Sequence, residues 1–325
     1  QVALMNPYAY CGSMSSSDGS RKARQISPAG YIWVSRFALI LLCVIVVSGA
    51  AVRLSGSGLG CSDWPRCNSE KFIDVSTTHG AIEQINRLFT GLVTAIVIAA
   101  VLAARFRVPY RKDLVMLSWG LVAGVIGQIV LGGIVVLTDL HPLANQGHFV
   151  LSMILVANAL ILHQRAKNDL KPDHLSTLSG LQKLVRLTVV MGSLALITGT
   201  VVTGSGPHAG DEKARRFDLA ITTVARIHGI SVLVAIALLI LVAWKMRQQR
   251  AQQLFGPLEM VLVIAILQAT VGYVQYFNDI PALLVGIHVF GATMFFLSLV
   301  NLWMASNQIA DANPEMTDLN SAIVS

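Results

Sequence analysis

Apolar residues recur along the chain in eight runs, separated by short polar stretches. Their approximate limits are 32–54, 80–104, 114–137, 143–164, 182–204, 219–244, 257–277 and 281–304. A helix of roughly 20 apolar residues crosses the hydrocarbon core of a bilayer, so each run predicts a membrane span. Residues 1–31 are polar, small and serine-rich, with no apolar run before Arg21–Arg24. They read as a cytoplasmic tail without a cleavable signal peptide. The chain opens on Gln1, with Met5 and Met14 as candidate starts. Residues 166–181 read as a cytoplasmic linker and 305–325 as a polar cytoplasmic tail.

Composition agrees with this pattern. Hydrophobic residues make up 54% and charged residues 13%, against about 25% charged in soluble proteins. Mean hydropathy is +0.65. A disordered chain and an ordinary soluble globule are excluded. The net charge of +7 is then no sign of nucleic-acid binding, because basic loops anchor helices at the cytoplasmic face. Lys and Arg fall unevenly: sixteen flank the N-terminal tail and the loops after spans 2, 4 and 6, and six lie in the opposite loops. Both termini are therefore expected in the cytoplasm, with the loops after spans 1, 3, 5 and 7 outside.

The chain also repeats. Residues 121–150, shifted by 140, align without a gap on 261–290, so that Gln128 meets Gln268, Gly132 meets Gly272, Asp139 meets Asp279 and His148 meets His288. Gly56-Ser57-Gly58 matches Gly204-Ser205-Gly206, and Ile85-Asn86 matches Ile227-His228. Four spans per unit is an even number, so the repeat is parallel. The expected architecture is an all-α polytopic protein whose eight helices form two four-helix bundles related by a pseudo-two-fold axis along the membrane normal.

Ionisable groups inside spans are costly and need a reason. His148, His228 and His288 lie within apolar segments. Such histidines either pack against a neighbour or ligate. Even-numbered spans all enter from outside, which puts Asn86, His148, His228 and His288 at one depth, roughly 9–12 Å below the external helix starts. Two level imidazoles in one bundle can clamp a haem iron from both sides. In the first bundle Asn86 stands where a histidine would be. Glu83, three residues earlier, shares its helix face, and Arg87 follows at i+4. Glu83 reads either as half of an ion pair with Arg87 or as a carboxylate that handles protons beside a haem. The external stretch GSGLGCSDWPRCN carries Cys61 and Cys67, readable as a structural disulfide or a redox pair. Cys11 and Cys43 read as free thiols, and His208 in GSGPHAGD as a solvated loop residue or a lid contact.

Span 1 with GSGLGCSDWPRC, the E-x-x-x-R stretch of span 2, GSGPHAGD, R-I-H in span 6 and G-I-H in span 8 closely resemble the haem A synthase family over residues 32–304. The resemblance implies eight helices in two bundles. It implies oxidation of the C8 methyl of haem O to a formyl group, giving haem A for cytochrome oxidase. It further implies a haem b, with iron held by His228 and His288, in a C-terminal bundle over 182–304. A substrate haem in an N-terminal bundle over 32–165 would have His148 as iron ligand and Glu83 as catalytic carboxylate. The family's paired loop cysteines fall on Cys61 and Cys67. Its helix-2 histidine falls on Asn86, and His79 is a distant substitute seven residues away. The implied partners are haem O, a haem O synthase (farnesyltransferase), an unidentified electron donor and membrane lipid, without nucleic acid. The expected location is a bacterial plasma membrane. Two rivals remain at this level: a di-haem b electron-transfer cytochrome, and a repeat transporter with packing histidines.

Overall fold

The computed structural model of the chain describes residues 25–168 and 180–311. The expectations for Cys11, Met5, Met14, the basic cluster Arg21–Arg24, most of the 166–181 linker and the end of the C-terminal tail lie outside them. Eight long helices account for most of the described residues: α1 Pro28–Leu54, α2 Thr78–Arg105, α3 Lys112–Leu137, α4 Pro142–Asn168, α5 Gly180–Ser205, α6 Ile221–Gln248, α7 Phe255–Phe277 and α8 Ala282–Asp311. Each covers the apolar run expected for it, α6 and α8 starting two residues and one residue later than expected, and is long and apolar enough to span a membrane. Among the described residues there is no strand, only an isolated bridge between Ile26 and Arg107. α1 begins about a turn before its apolar run and α2 two residues before, because caps rather than hydropathy start them. Ser27 and Thr77 accept from the N–H groups of Gly30 and Gly80 in the first turns of α1 and α2, satisfying donors that the helix leaves over.

Only between 22% and 33% of the most apolar stretch of each helix is buried. On α1 the exposed Trp33, Phe37, Ile40 and Val44 form one stripe at helical spacing. A protein in water would hide such a stripe, whereas lipid accepts it. The chain is thus a multi-pass membrane protein.

Each half closes into a ring. Within the first, α1 packs on α2 and α4, and α3 on α2 and α4; within the second, α5 packs on α6 and α8, and α7 on α6 and α8. The halves meet through α1 on α8, α4 on α5 and α4 on α8. Exchanging α1–α4 with α5–α8 returns the same set of neighbours. The α3–α4 and α7–α8 turns repeat in detail as well. Asp139 and Leu140 have φ of 51° and 58°, and Asp279 and Ile280 have 56° and 56°. Left-handed backbone is uncommon for Leu and Ile. It is held here by the same bond in both turns, Leu140 N–H to Val135 O and Ile280 N–H to Gln275 O, each 2.8 Å. Leu140 is also buried among Val135, Ala209 and Ala214.

Small residues let α3 lie close to α4. A Cβ on Gly124 would come within 2.5 Å of Leu155, and one on Gly120 within 2.7 Å of Asn158. This is how helices associate where lipid removes the hydrophobic drive.

Arg53, at the end of α1, ties the halves together. Its Nε donates to His208 O and an η-nitrogen to Thr203 O, both at 2.8 Å. Next to it the Gly58 N–H donates to Gly210 O at 2.8 Å. Arg53→Met removes both side-chain donors. A buried carbonyl left unpaired costs about 1–3 kcal/mol. The variant is expected to unfold at lower temperature than the parent in detergent, while Arg66→Met on the exposed loop leaves the midpoint unchanged.

Candidate functional site

The second half holds two facing imidazoles. His228 comes from α6 and His288 from α8, with ring centroids 6.5 Å apart and planes at 86°. His228 Nδ1 lies 3.0 Å from Ala195 O and 3.2 Å from Thr198 Oγ1. A carbonyl only accepts, so Nδ1 carries the proton and Nε2 keeps its lone pair. This outer bond is how a protein fixes the tautomer of a metal-binding histidine. His288 Nδ1 is buried without a partner. Each ring rests against a glycine. A Cβ on Gly199 would lie 3.1 Å from His228 Cε1, and one on Gly272 would lie 3.3 Å from His288 Cε1.

These residues fit a haem. An iron about 2 Å from one nitrogen of each ring places the centroids roughly 6 Å apart, close to the spacing seen. Among the described residues no three His, Cys, Asp or Glu side chains gather as a bare metal ion would need.

The first half repeats part of this arrangement. His148 on α4 has a buried, unpartnered Nδ1, and a Cβ on Gly132 would lie 3.5 Å from its Cε1. The Gln128 side chain donates to His148 O at 3.1 Å and to Ser152 Oγ at 2.8 Å, joining α3 to α4. Asn86 on α2 accepts at Oδ1 from Ser48 Oγ at 2.7 Å. His79 lies at the exposed start of α2 with Nδ1 bonded to Ser57 Oγ at 2.8 Å.

The loop between α1 and α2 is fastened to α2 by charge. Cys61 and Cys67 form a disulfide, with Cα atoms 4.4 Å apart. The Cys61 N–H donates to Glu83 Oε2 at 2.7 Å. Glu83 Oε1 accepts from Arg87 Nε at 3.0 Å and from an η-nitrogen at 2.5 Å. Arg87 also donates to Asp63 O and Arg66 O, and its guanidinium lies over the Trp64 ring, 5.0 Å from the centroid. Trp64 in turn packs on α3, where a Cβ on Gly133 would come within 2.6 Å of it. Glu83 is therefore ion-paired with Arg87 and at the same time anchors the disulfide loop. Outside the spans, hydrogen bonds from Ser76 and Asn68, with Lys71 nearby, hold the Asp74 carboxyl below the usual carboxylate range.

His208 is half-buried. Its Nε2 lies 2.7 Å from Ile280 O, so it links the α5–α6 loop to the α7–α8 turn. Cys43 is a free thiol inside α1. Ser48, Thr198, Arg53 and Trp64 carry site contacts that sequence reasoning did not single out. A hydroxyl or an indole in an apolar run has no distinctive spacing. The Gly132–Gly272 match was visible, but its reason, an imidazole packed on each, needed the fold. The Gly-Ser-Gly match misleads by about two residues: Gly204 and Ser205 end α5, whereas Gly56–Gly58 lies beyond the end of α1.

Fold and site together define a multi-pass helical membrane protein with one facing histidine pair and a second, incomplete copy of it. The sequence model of the cytochrome oxidase assembly protein family (COX15-CtaA) matches residues 31–79 and 71–300. The chain belongs to this family. It is similar to proteins named haem A synthase in Listeria welshimeri, at 24% identity over 85% of this chain and 95% of the relative, and in Listeria monocytogenes, at 25% over 85% and 95%. A haem A synthase of Bacillus pumilus is 33% identical over 39% of this chain and 44% of its own length.

A Cβ on Gly60 would come within 2.2 Å of His79 O, a main-chain atom that cannot swing aside. Gly60→Ala should push the disulfide loop off α2 and destabilise the protein by about 1–3 kcal/mol. Thiol labelling of native membranes without reductant should leave Cys61 and Cys67 unmodified in the parent. Full labelling of both would show that the loop is not closed.

Proposed function

We propose that the chain is a haem A synthase, an oxidoreductase that converts the C8 methyl of haem O to a formyl group for cytochrome oxidase assembly. The observation that carries this is the facing pair His228–His288 beside an incomplete repeat of it at Asn86 and His148, in a chain of this family. Residues 182–304 would hold a resident haem b through His228 and His288, and residues 32–165 the substrate haem O through His148. The two halves would be related by a pseudo-two-fold axis, which the equivalent helix neighbours support.

The reaction is two successive hydroxylations, each consuming one O₂, two electrons and two protons and releasing one water. The resulting gem-diol then loses water to give the aldehyde. A resident haem supplies one-electron transfer from an external donor. The protein's own residues do the rest. His228 is held in one tautomer by Ala195 O. Gly132 makes room for the His148 ring. The disulfide loop covers the external end of α2. Glu83, one turn from Asn86, is the carboxylate we assign to proton handling and loss of water. Its present partners are the Cys61 N–H and Arg87, so its protonation is coupled to the seating of that loop.

We place the protein in a plasma membrane with both termini in the cytoplasm. The Lys and Arg bias supports this, and so does a disulfide in a loop assigned to the oxidising side. A di-haem cytochrome that passes electrons across the membrane would need haems at opposite depths, and the common depth of His148, His228 and His288 on their helices favours the synthase reading.

Two measurements test the assignment. Purified protein should show a low-spin b-type haem spectrum, which His228→Ala and His288→Ala each abolish; a colourless protein would favour a transporter. Glu83→Gln should retain the low-spin signal while haem A formation in cells supplied with haem O falls about 100-fold or more. Unchanged haem A formation would remove Glu83 from the chemistry.

A further inference from the structure

The two halves differ on the second helix of each: Asn86 stands at the place of His228, and Glu83 and Arg87 stand at those of Ala225 and Gly229. Ser48 on α1 and Thr198 on α5 are equivalent: each hydroxyl contacts the carbonyl three residues back, Ile45 O at 3.2 Å and Ala195 O at 2.9 Å. In the second half Thr198 Oγ1 meets His228 Nδ1 at 3.2 Å. In the first half Ser48 Oγ donates to Asn86 Oδ1 at 2.7 Å. A glycine follows each hydroxyl residue. A Cβ on Gly199 would touch His228, but one on Gly49 would meet nothing within 4 Å. The space that the imidazole fills in the second half is therefore open beside Asn86.

An amide side chain ends in one acceptor and an NH₂ with two donors. With the Asn86 oxygen engaged by Ser48, the NH₂ is the end left to face that space, and it has no available lone pair with which to hold an iron. We infer that Ser48 and Asn86 together replace a histidine ligand with a hydrogen-bond donor. Ser48 turns the amide oxygen toward α1, and the amide N–H groups meet a small oxygen-containing ligand on the open face of the substrate haem, opposite His148. Ser48 is a positioning residue and acts through Asn86. The inference rests on the proposal that the first half is the substrate-haem site.

The geometry explains why the repeat is broken here. Two histidines would close both faces of the iron, and O₂ would have to displace one. A single histidine opposite a donor leaves a position open and gives it polarity. Gly49 keeps that position wide.

Carbon monoxide on the reduced, full-length protein reconstituted with protohaem tests this without turnover. A haem held by His228 and His288 has no free position, so bound CO reports on the first half alone. A hydrogen bond to the CO oxygen lowers the C–O stretching frequency. Asn86→Leu should therefore raise it, and Ser48→Ala should raise it by a smaller amount. Ser48→Thr, which installs the residue found at the equivalent place in α5, should keep the parent value. Asn86→His should fill the open space, produce a second low-spin haem and abolish CO binding. The low-spin signal of the second half serves as the control for folding in every variant. CO binding with an unchanged stretch in both Asn86→Leu and Ser48→Ala would overturn the donor role and leave the haem site standing. A parent protein that keeps the low-spin signal but binds no CO would overturn the substrate-site proposal, and this inference with it.

Discussion

The hydrocarbon core offers no water, so every polar atom placed in it must find a partner within the protein. Most of this structure follows from that constraint. It makes all eight spans helical. It sends Ser35, Thr90, Thr94, Ser118 and Thr198 back onto carbonyls one turn away. It also makes two of the exceptions informative. Nδ1 of His148 and of His288 are buried without a hydrogen bond, and both belong to the repeated site. In an ordinary helix bundle such atoms would be liabilities.

Charge is handled by the same rule. Glu83 and Arg87 are both nearly buried, with side-chain exposures of 8% and 13%. Neither tolerates that alone, because a buried charge without its partner costs several kcal/mol. The pair does more than cancel itself. One carboxylate oxygen takes the Cys61 N–H, and the guanidinium takes two loop carbonyls and an indole face. The loop after α1 thus seats on α2 through groups that would otherwise be expensive to bury. Arg53 works differently. It meets carbonyls from the other half, so its donors join the halves.

The duplicated architecture lets one half serve as the internal reference for the other. The paired left-handed turns, the glycine behind each histidine and the hydroxyl at Ser48 and Thr198 all recur. Against that background the replacement of an imidazole by an amide is a chemical difference between two halves with the same helix neighbours. A site that holds a cofactor permanently benefits from two strong ligands. A site that must admit a small reactant benefits from one ligand and an open face.

Much of this was legible in the residues themselves. Eight apolar runs of the right length leave only a helical membrane fold, and the 140-residue shift exposes the repeat and the pairing of His148 with His288. The level placement of His228 and His288 follows from helix rise alone. The ends of the helices were less visible, since capping by Ser27 and Thr77 decides them rather than hydropathy. The role of Glu83 was open between an ion pair and an acid, because i,i+4 spacing is compatible with both. Only the fold showed that Cys61 and the loop carbonyls share the pair. The partnership of Ser48 with Asn86 joins residues 38 positions apart on different helices. No local pattern encodes such a contact; it exists because the packing of α1 on α2 brings the two side chains to one level.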